Sequence, residues 1–261
     1  MQKLRLRYAK RGRLRFTSHR DIARAFERAL RRAHVPMAYS QGFNPHPKIS
    51  WVGAAPTGVA SEAEYVEIQV VSALEPAGLL AQLDEVLPDG LDLVEAVQAA
   101  EGGLAERIEA SRWRIELPGV PAAVLADAVR AALAAEEIAV RRLTKNGYRT
   151  IDARGAIVTA RVEHAGVTND SPTLAADTSD HGEPCGILDV VVRQTTPAVR
   201  PDDVLNALRV VADLEPPVPA KATRMAQGRL DDDGRLSDPL APDKAAAGWA
   251  PGEQKQRHDV D

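Results

Sequence analysis

From Lys3 to Tyr8, the apolar residues Leu4, Leu6 and Tyr8 alternate with the charged residues Lys3, Arg5 and Arg7. That period of two predicts a strand with one buried and one charged face. Lys10-Arg11-Gly12 reads as a turn, and Arg13 to Phe16 resumes the alternation. Ser18 with Asp21 three residues on forms a capping-box pattern. The helix it opens runs to about His34, with Ile22, Phe26, Ala29, Leu30 and Ala33 on one face, and Val35-Pro36 ends it. After a loop rich in Gly, Asn and Pro (Gln41 to Pro47), strands are predicted at Lys48 to Val52 and Tyr65 to Val71. A helix at Pro76 to Val86 and a strand at Leu91 to Val97 complete the series.

The order β-α-β-β-α-β is that of a ferredoxin-like unit. It recurs after a link at Glu101 to Ala110, with a strand at Trp113 to Leu117, an Ala-rich helix at Ala122 to Ala135, and strands at Ala139 to Leu143 and Ala156 to Glu163. A β-rich run at Ile187 to Gln194, a proline-opened helix at Pro201 to Val211 and a strand at Ala222 to Leu230 follow. Between Leu143 and Ala156, Lys145-Asn146-Gly147-Tyr148-Arg149 predicts a hairpin turn. His164 to Gly186, rich in Asp, Ser, Thr and Pro, reads as a mobile insertion. The expected fold class is α+β, with two ferredoxin-like units in tandem at 1–100 and 111–230. From Asp231 the apolar content drops, and 231–261 is expected to be a disordered tail that can be removed without loss of stability.

Charge changes the picture. Thirteen Lys and Arg residues fall in the first fifty positions against Asp21 and Glu27 alone, a local charge of +11 in a chain whose total is −4. From Trp51 to Glu106 there are eleven acids and no Lys or Arg. A basic segment of this kind points first to a polyanion such as nucleic acid. The first helix sets Arg20, Arg24, Arg28 and Arg32 at i, i+4 spacing, a stripe about 18 Å long. Arg5, Arg7 and Arg13 of the preceding segment extend it, with Lys145, Arg149 and Arg154 as a further extension. The alternative for such a stripe is a solvated helix face.

Candidate chemistry gathers in two places. His19 stands at the start of the first helix, where free backbone N–H groups favour a phosphate. It can serve there as a phosphate donor or general acid–base, or simply as a capping-turn residue. The run Tyr39-Ser40-Gln41-Gly42-Phe43-Asn44-Pro45-His46-Pro47-Lys48 offers aromatic rings for stacking, amides for base edges, and His46 and Lys48 for phosphate. A rigid crossover loop is its plain alternative. His19, His34 and His46 lack the accompanying Cys or carboxylates of a metal site, so no metal is expected. The phosphate-loop, dinucleotide and nucleophile-elbow motifs are absent. With one cysteine, Cys185, and neither a signal-peptide pattern nor a run of about 18 apolar residues, a cytoplasmic protein without a membrane partner is expected.

The segments Arg15 to Asp21, Phe26 to Arg32 and Tyr39 to Lys48, with Gly58 to Tyr65 and Lys145 to Arg154, closely resemble a family of radical-SAM-associated proteins, a domain of unknown function. The resemblance covers roughly residues 1 to 220, and Gly155-Ala156 departs from the family pattern. It implies a separate radical SAM protein as partner; this chain lacks the Cys-x-x-x-Cys-x-x-Cys that would hold a cluster, and no cofactor is expected in it. Two ferredoxin-like units with a His at the first helix also resemble, in architecture alone, the endoribonucleases that process CRISPR repeat RNA. The expected function is an RNA-binding accessory protein presenting tRNA or rRNA to the radical SAM enzyme. Arg5, Arg7, Arg13, Arg20, Arg24 and Arg28 would meet phosphate, and Tyr39, Gln41, Phe43, Asn44, His46 and Lys48 the nucleotides. The alternatives are a metal-independent endoribonuclease using His19 or His46, with Lys48 on the scissile phosphate, and a protein-interaction subunit.

Overall fold

Gly12, at φ 54, ends the first strand by turning the chain out of extended conformation. In the computed structural model, which describes residues 1–145, 147–163 and 184–248, that strand is β1 (Gln2–Lys10). The first half continues as α1 (His19–Arg32), β2 (Ile49–Val52), β3 (Ala60–Val70), α2 (Pro76–Asp84) and β4 (Leu91–Gln98). The second half is β5 (Ala110–Pro118), α3 (Ala122–Ala134), β6 (Ala139–Thr144), β7 (Gly147–Asp152), β8 (Ile157–Glu163), β9 (Cys185–Arg193), α4 (Pro201–Ala212) and β10 (Lys221–Gly228). A short helix, α5 (Ala241–Ala246), follows.

The result is a mixed α+β fold on one eight-stranded sheet, ordered β4-β1-β3-β10-β5-β9-β8, with β2 also paired to β3. Taken by halves, the orders are β4-β1-β3-β2 and β10-β5-β9-β8, the same arrangement twice. The pairings within each half are antiparallel, and the seam between halves is parallel, through Ala60 with Thr223 and Ser61 with Arg224. On the edge away from β1, strand β3 thus serves two neighbours: its first residues meet β10, and Tyr65 to Ile68 meet β2.

Helices cover one face. In the first half, Ile22, Phe26, Ala29 and Leu30 of α1 and Leu79 and Leu83 of α2 pack on Leu4, Leu6, Tyr8, Val66 and Ile68. In the second, Leu125 and Val129 of α3 and Val204 and Leu208 of α4 pack on Trp113, Ile115, Leu117, Leu188 and Val190. Leucine-sized side chains buried to this degree contribute about 1.5–3 kcal/mol each.

Three expectations about single segments need correction. Arg13 to Phe16 is not a strand but part of a 3₁₀ turn, Gly12–Phe16; four alternating residues fit one turn of tight helix as well as a strand. Strand β6 leaves the main sheet and pairs only with β7, so the predicted hairpin forms apart from it. The predicted insertion loses Cys185 and Gly186 to β9, while residues 164–183 lie outside the described residues.

The largest correction concerns the other face of the sheet. It is not solvated in the first half: the link at 99–110 and the segment after β10 fold beneath it. Leu104, Ile108 and Leu240 pack on Ala63 and Tyr65, leaving Arg5 only 2% exposed. The expected disordered tail is therefore ordered at least through 231–248, and 249–261 lie outside the described residues. Its apolar content is as low as the sequence suggests. What fixes it is buried charge: Asp243 is fully buried and accepts from Arg5 Nη1 at 2.6 Å, Arg107 Nη1 at 2.8 Å and the Ala100 amide at 2.7 Å. Gly228 permits the approach, because a Cβ there would stand 1.8 Å from the Ser237 carbonyl oxygen.

Candidate nucleic-acid interface

The basic and acidic segments that stand apart in sequence are neighbours in the sheet. Lys3 Nζ lies 3.2 Å from Glu67, and Arg5 Nε donates to the same carboxylate at 3.0 Å. Arg11 pairs with Glu62 and, at 2.7 Å, with Asp92. Arg7, half-buried, donates to the Glu62 carbonyl at 2.9 Å. Of the cations behind the +11 of the first fifty residues, Lys3, Arg5 and Arg11 are thus paired with acids. Arg5 cannot meet a phosphate: it is buried with its donors committed to Glu67, Asp243 and the Gly102 carbonyl. Arg7 keeps only a partial surface.

What survives is helix α1. Ser18 caps it, accepting from the Asp21 amide and donating to the Asp21 carboxylate at 2.6 Å. With Phe26 and Leu30 turned to the core, Arg20, Arg24, Arg28, Arg31 and Arg32 all stand exposed. Arg24 lies 3.6 Å from Asp21, an exposed contact of little energetic weight. Among the described residues Arg20, Arg28 and Arg32 form no ion pair. Arg13 is exposed in the preceding 3₁₀ turn, and Arg15 stacks over Phe16 at 4.6 Å.

The loop from Tyr39 to Lys48 is a latched hairpin. Tyr39 bridges Pro47, the Ser40 amide donates to the His46 carbonyl at 2.9 Å, and the His46 amide donates to Ser40 Oγ at 3.1 Å. Ser40 Oγ also lies 2.9 Å from His46 Nδ1, which fixes the imidazole and leaves Nε2 as its outward nitrogen. At the base, the Lys48 amide donates to the Ala38 carbonyl, and the Ala38 amide to the Gln69 carbonyl, each at 2.8 Å. Gly42 takes φ 125 at the tip. Beside it Phe43 is fully exposed, with Gln41 and Asn44 exposed on either side and Tyr39 half-exposed. A phenyl ring held wholly in water on a braced hairpin lacks any packing role in the fold.

The two histidines do not meet. The pleat of β2 sends Ile49 and Trp51 towards the helices and Ser50 to the opposite face. His19 packs edge-on to the Trp51 ring, with centroids 5.2 Å apart. His46 instead lines a groove of about 300 Å³ with Lys48, Ser50, Lys3 and Gln69. Arg149 is exposed on the β7 hairpin strand, whereas Arg154 is committed to the Ile157 and Leu133 carbonyls.

A family model described as "Uncharacterized protein conserved in bacteria (DUF2344)" matches residues 3–201. The chain belongs to this family. The match takes in α1, the latched hairpin and the strands through β9, and it reaches the first residue of α4. The DUF2344 description names neither a reaction nor a partner, and no curated protein matches the chain. Among the described residues, no helix is long and apolar enough to cross a membrane, and no group of three or more His, Cys, Asp or Glu is placed to hold a metal ion.

Sequence reading of this DUF2344 chain misses a charged cluster at the seam. Arg224 of β10 donates to Glu64 of β3 at 2.9 Å and to the Gly53 carbonyl, while its guanidinium lies 4.6 Å over the Trp113 ring. Lys10 Nζ, also buried, donates to the Pro56 carbonyl at 3.1 Å. Burial lowers the Lys10 and Arg224 pKa values, with Glu64 opposing in both cases. Burial raises that of neighbouring Tyr8 well above 10.0. Arg224 and Glu64 are 160 positions apart, so no local spacing announces them.

Proposed function

We propose that this protein is an RNA-binding accessory factor, built on two ferredoxin-like units, that presents structured RNA such as tRNA or rRNA to a separate radical SAM enzyme. The observation that carries the reading is the fully exposed Phe43 at the tip of a braced hairpin, flanked by Tyr39, Asn44 and His46. Such a ring offers a stacking platform to an unpaired base. The exposed arginines of α1 supply the electrostatic share of affinity, and Arg13 adds to it. The radical SAM partner rests on the sequence resemblance, and the repeated strand order of the two halves supports the ferredoxin-like reading.

Incubating the pure protein with labelled total RNA in EDTA tests the proposal: RNA should be retained and remain intact. Cleavage would favour an endoribonuclease. For that chemistry the latched His46, with Lys48 nearby, is better prepared than a His19–His46 pair, since the two histidines face opposite sides of β2. Neither retention nor cleavage would favour a protein-interaction subunit.

A further inference from the structure

The seam between the halves holds an open cleft of about 580 Å³, within the range of small-molecule sites. Its floor carries Trp113, Arg224 and Gln227, its rim Arg193 and Arg200, and one wall the loop around Gly53. Arg224 is 5% exposed and lines this cavity. Its Nη1 is committed to Glu64 and the Gly53 carbonyl and its guanidinium plane lies over the Trp113 ring, so the group is held in one orientation at the cavity wall.

The charge balance says what ligand the cavity suits. Arg224 and Lys10 are buried around the single carboxylate of Glu64, which also accepts from the Ala55 amide at 2.9 Å. Arg193 and Arg200 line the cavity without an acidic partner within ion-pair distance among the described residues, and Asp202 is the one acid in the lining. Four cations against two carboxylates leave the site at about +2, the complement of a dianion. Three guanidinium groups on one cavity suit a phosphate, whose oxygens accept the forked donors of arginine.

We propose that the seam cavity binds a phosphate monoester, with Arg224 as the buried anchor and Arg193 and Arg200 closing on the phosphate from the rim. The ligand is either a free mononucleotide or the terminal phosphate of an RNA. This site is separate from the α1 and Phe43 surface and does not depend on the RNA-binding reading.

Calorimetry with adenosine monophosphate, inorganic phosphate and an RNA decamer bearing either a 5′-phosphate or a 5′-hydroxyl tests it. A single saturable site for the mononucleotide, with a concentration-dependent rise in melting temperature, identifies a free nucleotide as the source. Tighter binding of the 5′-phosphorylated decamer than of its hydroxyl counterpart, with a weak mononucleotide, identifies an RNA end. In either case R193Q/R200Q should lower affinity about tenfold or more while remaining folded, since both side chains are exposed. Reversing the α1 arginines to glutamate should leave mononucleotide binding intact, which keeps failure of the two proposals distinguishable. No saturable binding of any phosphate probe, or binding that R193Q/R200Q does not change, overturns the assignment. R224Q serves as a second variant only if its melting curve shows a folded protein.

Discussion

Arg5 and Asp243 meet at 2.6 Å across 238 positions of sequence, both almost wholly removed from water. Arg107 shares the same carboxylate, so one acid joins the first strand, the link between the halves and the segment after β10. A buried ion pair is a weak source of net stability, yet removing one member strands a charge in the interior.

Asp243→Ala should therefore cost about 3–5 kcal/mol, and a chain ending at Leu230 at least as much. Urea denaturation followed by circular dichroism measures it, as a fall in midpoint for the point variant. A truncated chain that melts within a degree or two of the parent would show that the 231–248 segment adds nothing to the fold.

Reversing Arg20, Arg24 and Arg28 to Glu should abolish RNA binding and leave the melting curve unchanged, because these side chains lie off the apolar face of α1. With about five phosphates neutralised, log affinity should fall with log salt at a slope of roughly −3.5 to −4.5. Arg5→Ala should behave in the opposite way, lowering stability without lowering the affinity of folded protein. Filter binding across a salt series, beside thermal melts, separates the two classes of arginine.

Phe43→Ala should weaken binding to unpaired RNA about tenfold or more, since stacking is worth roughly 1–3 kcal/mol per base. A perfect duplex keeps its bases stacked and should bind almost as before. The fold should be indifferent, as Phe43 touches only water. Equal losses for both RNA forms would remove the stacking role.

Alkaline stability should report the seam. Burial raises the Tyr8 pKa well above 10.0, so above that pH the unfolded chain gives up a proton that the folded chain retains, and stability falls as pH rises. The limiting slope for one such group is about 1.4 kcal/mol per pH unit. Lys10, with its pKa lowered, acts in the other direction, but only up to its unfolded value near 10.5. From pH 10.5 upward, Tyr8→Phe should flatten the decline in urea-derived stability by up to that slope. An unchanged slope would mean that Tyr8 ionises as easily in the folded chain as in the unfolded one.

Most of the elements were legible because periodicity is local. The Ser18–Asp21 cap, the apolar stripe of α1 and the proline opening of α4 each announce themselves within a few residues. The Tyr39 to Lys48 loop was legible as a cluster of functional side chains, though its Ser40–His46 latch was not. The fate of β1's second face was hidden. A row of Lys and Arg reads as a solvent face, and nothing near Arg5 foretells an acid from a helix 238 positions away. Low apolar content misled in the same way at 231–248, because one fully buried leucine, Leu240, and the ion pairs of Asp243 suffice to dock that segment. The Arg224–Glu64 contact was invisible for the same reason, a partnership of two strands from different halves.

The underside of the sheet has a timetable. Strand β1 leaves the ribosome early and α5 late, and at roughly 5–20 residues per second the intervening synthesis takes roughly 12–48 s. During that interval the nascent chain can assemble its helical face while the opposite face waits for the rest of its cover, with Arg5 served by Glu67 and the Gly102 carbonyl but not by Asp243. A ribosome that stalls shortly before Asp243 would release a protein holding every strand of the main sheet and an open floor, a ready substrate for proteases. Asp243 thus completes a floor whose Arg5 was laid down 238 positions earlier.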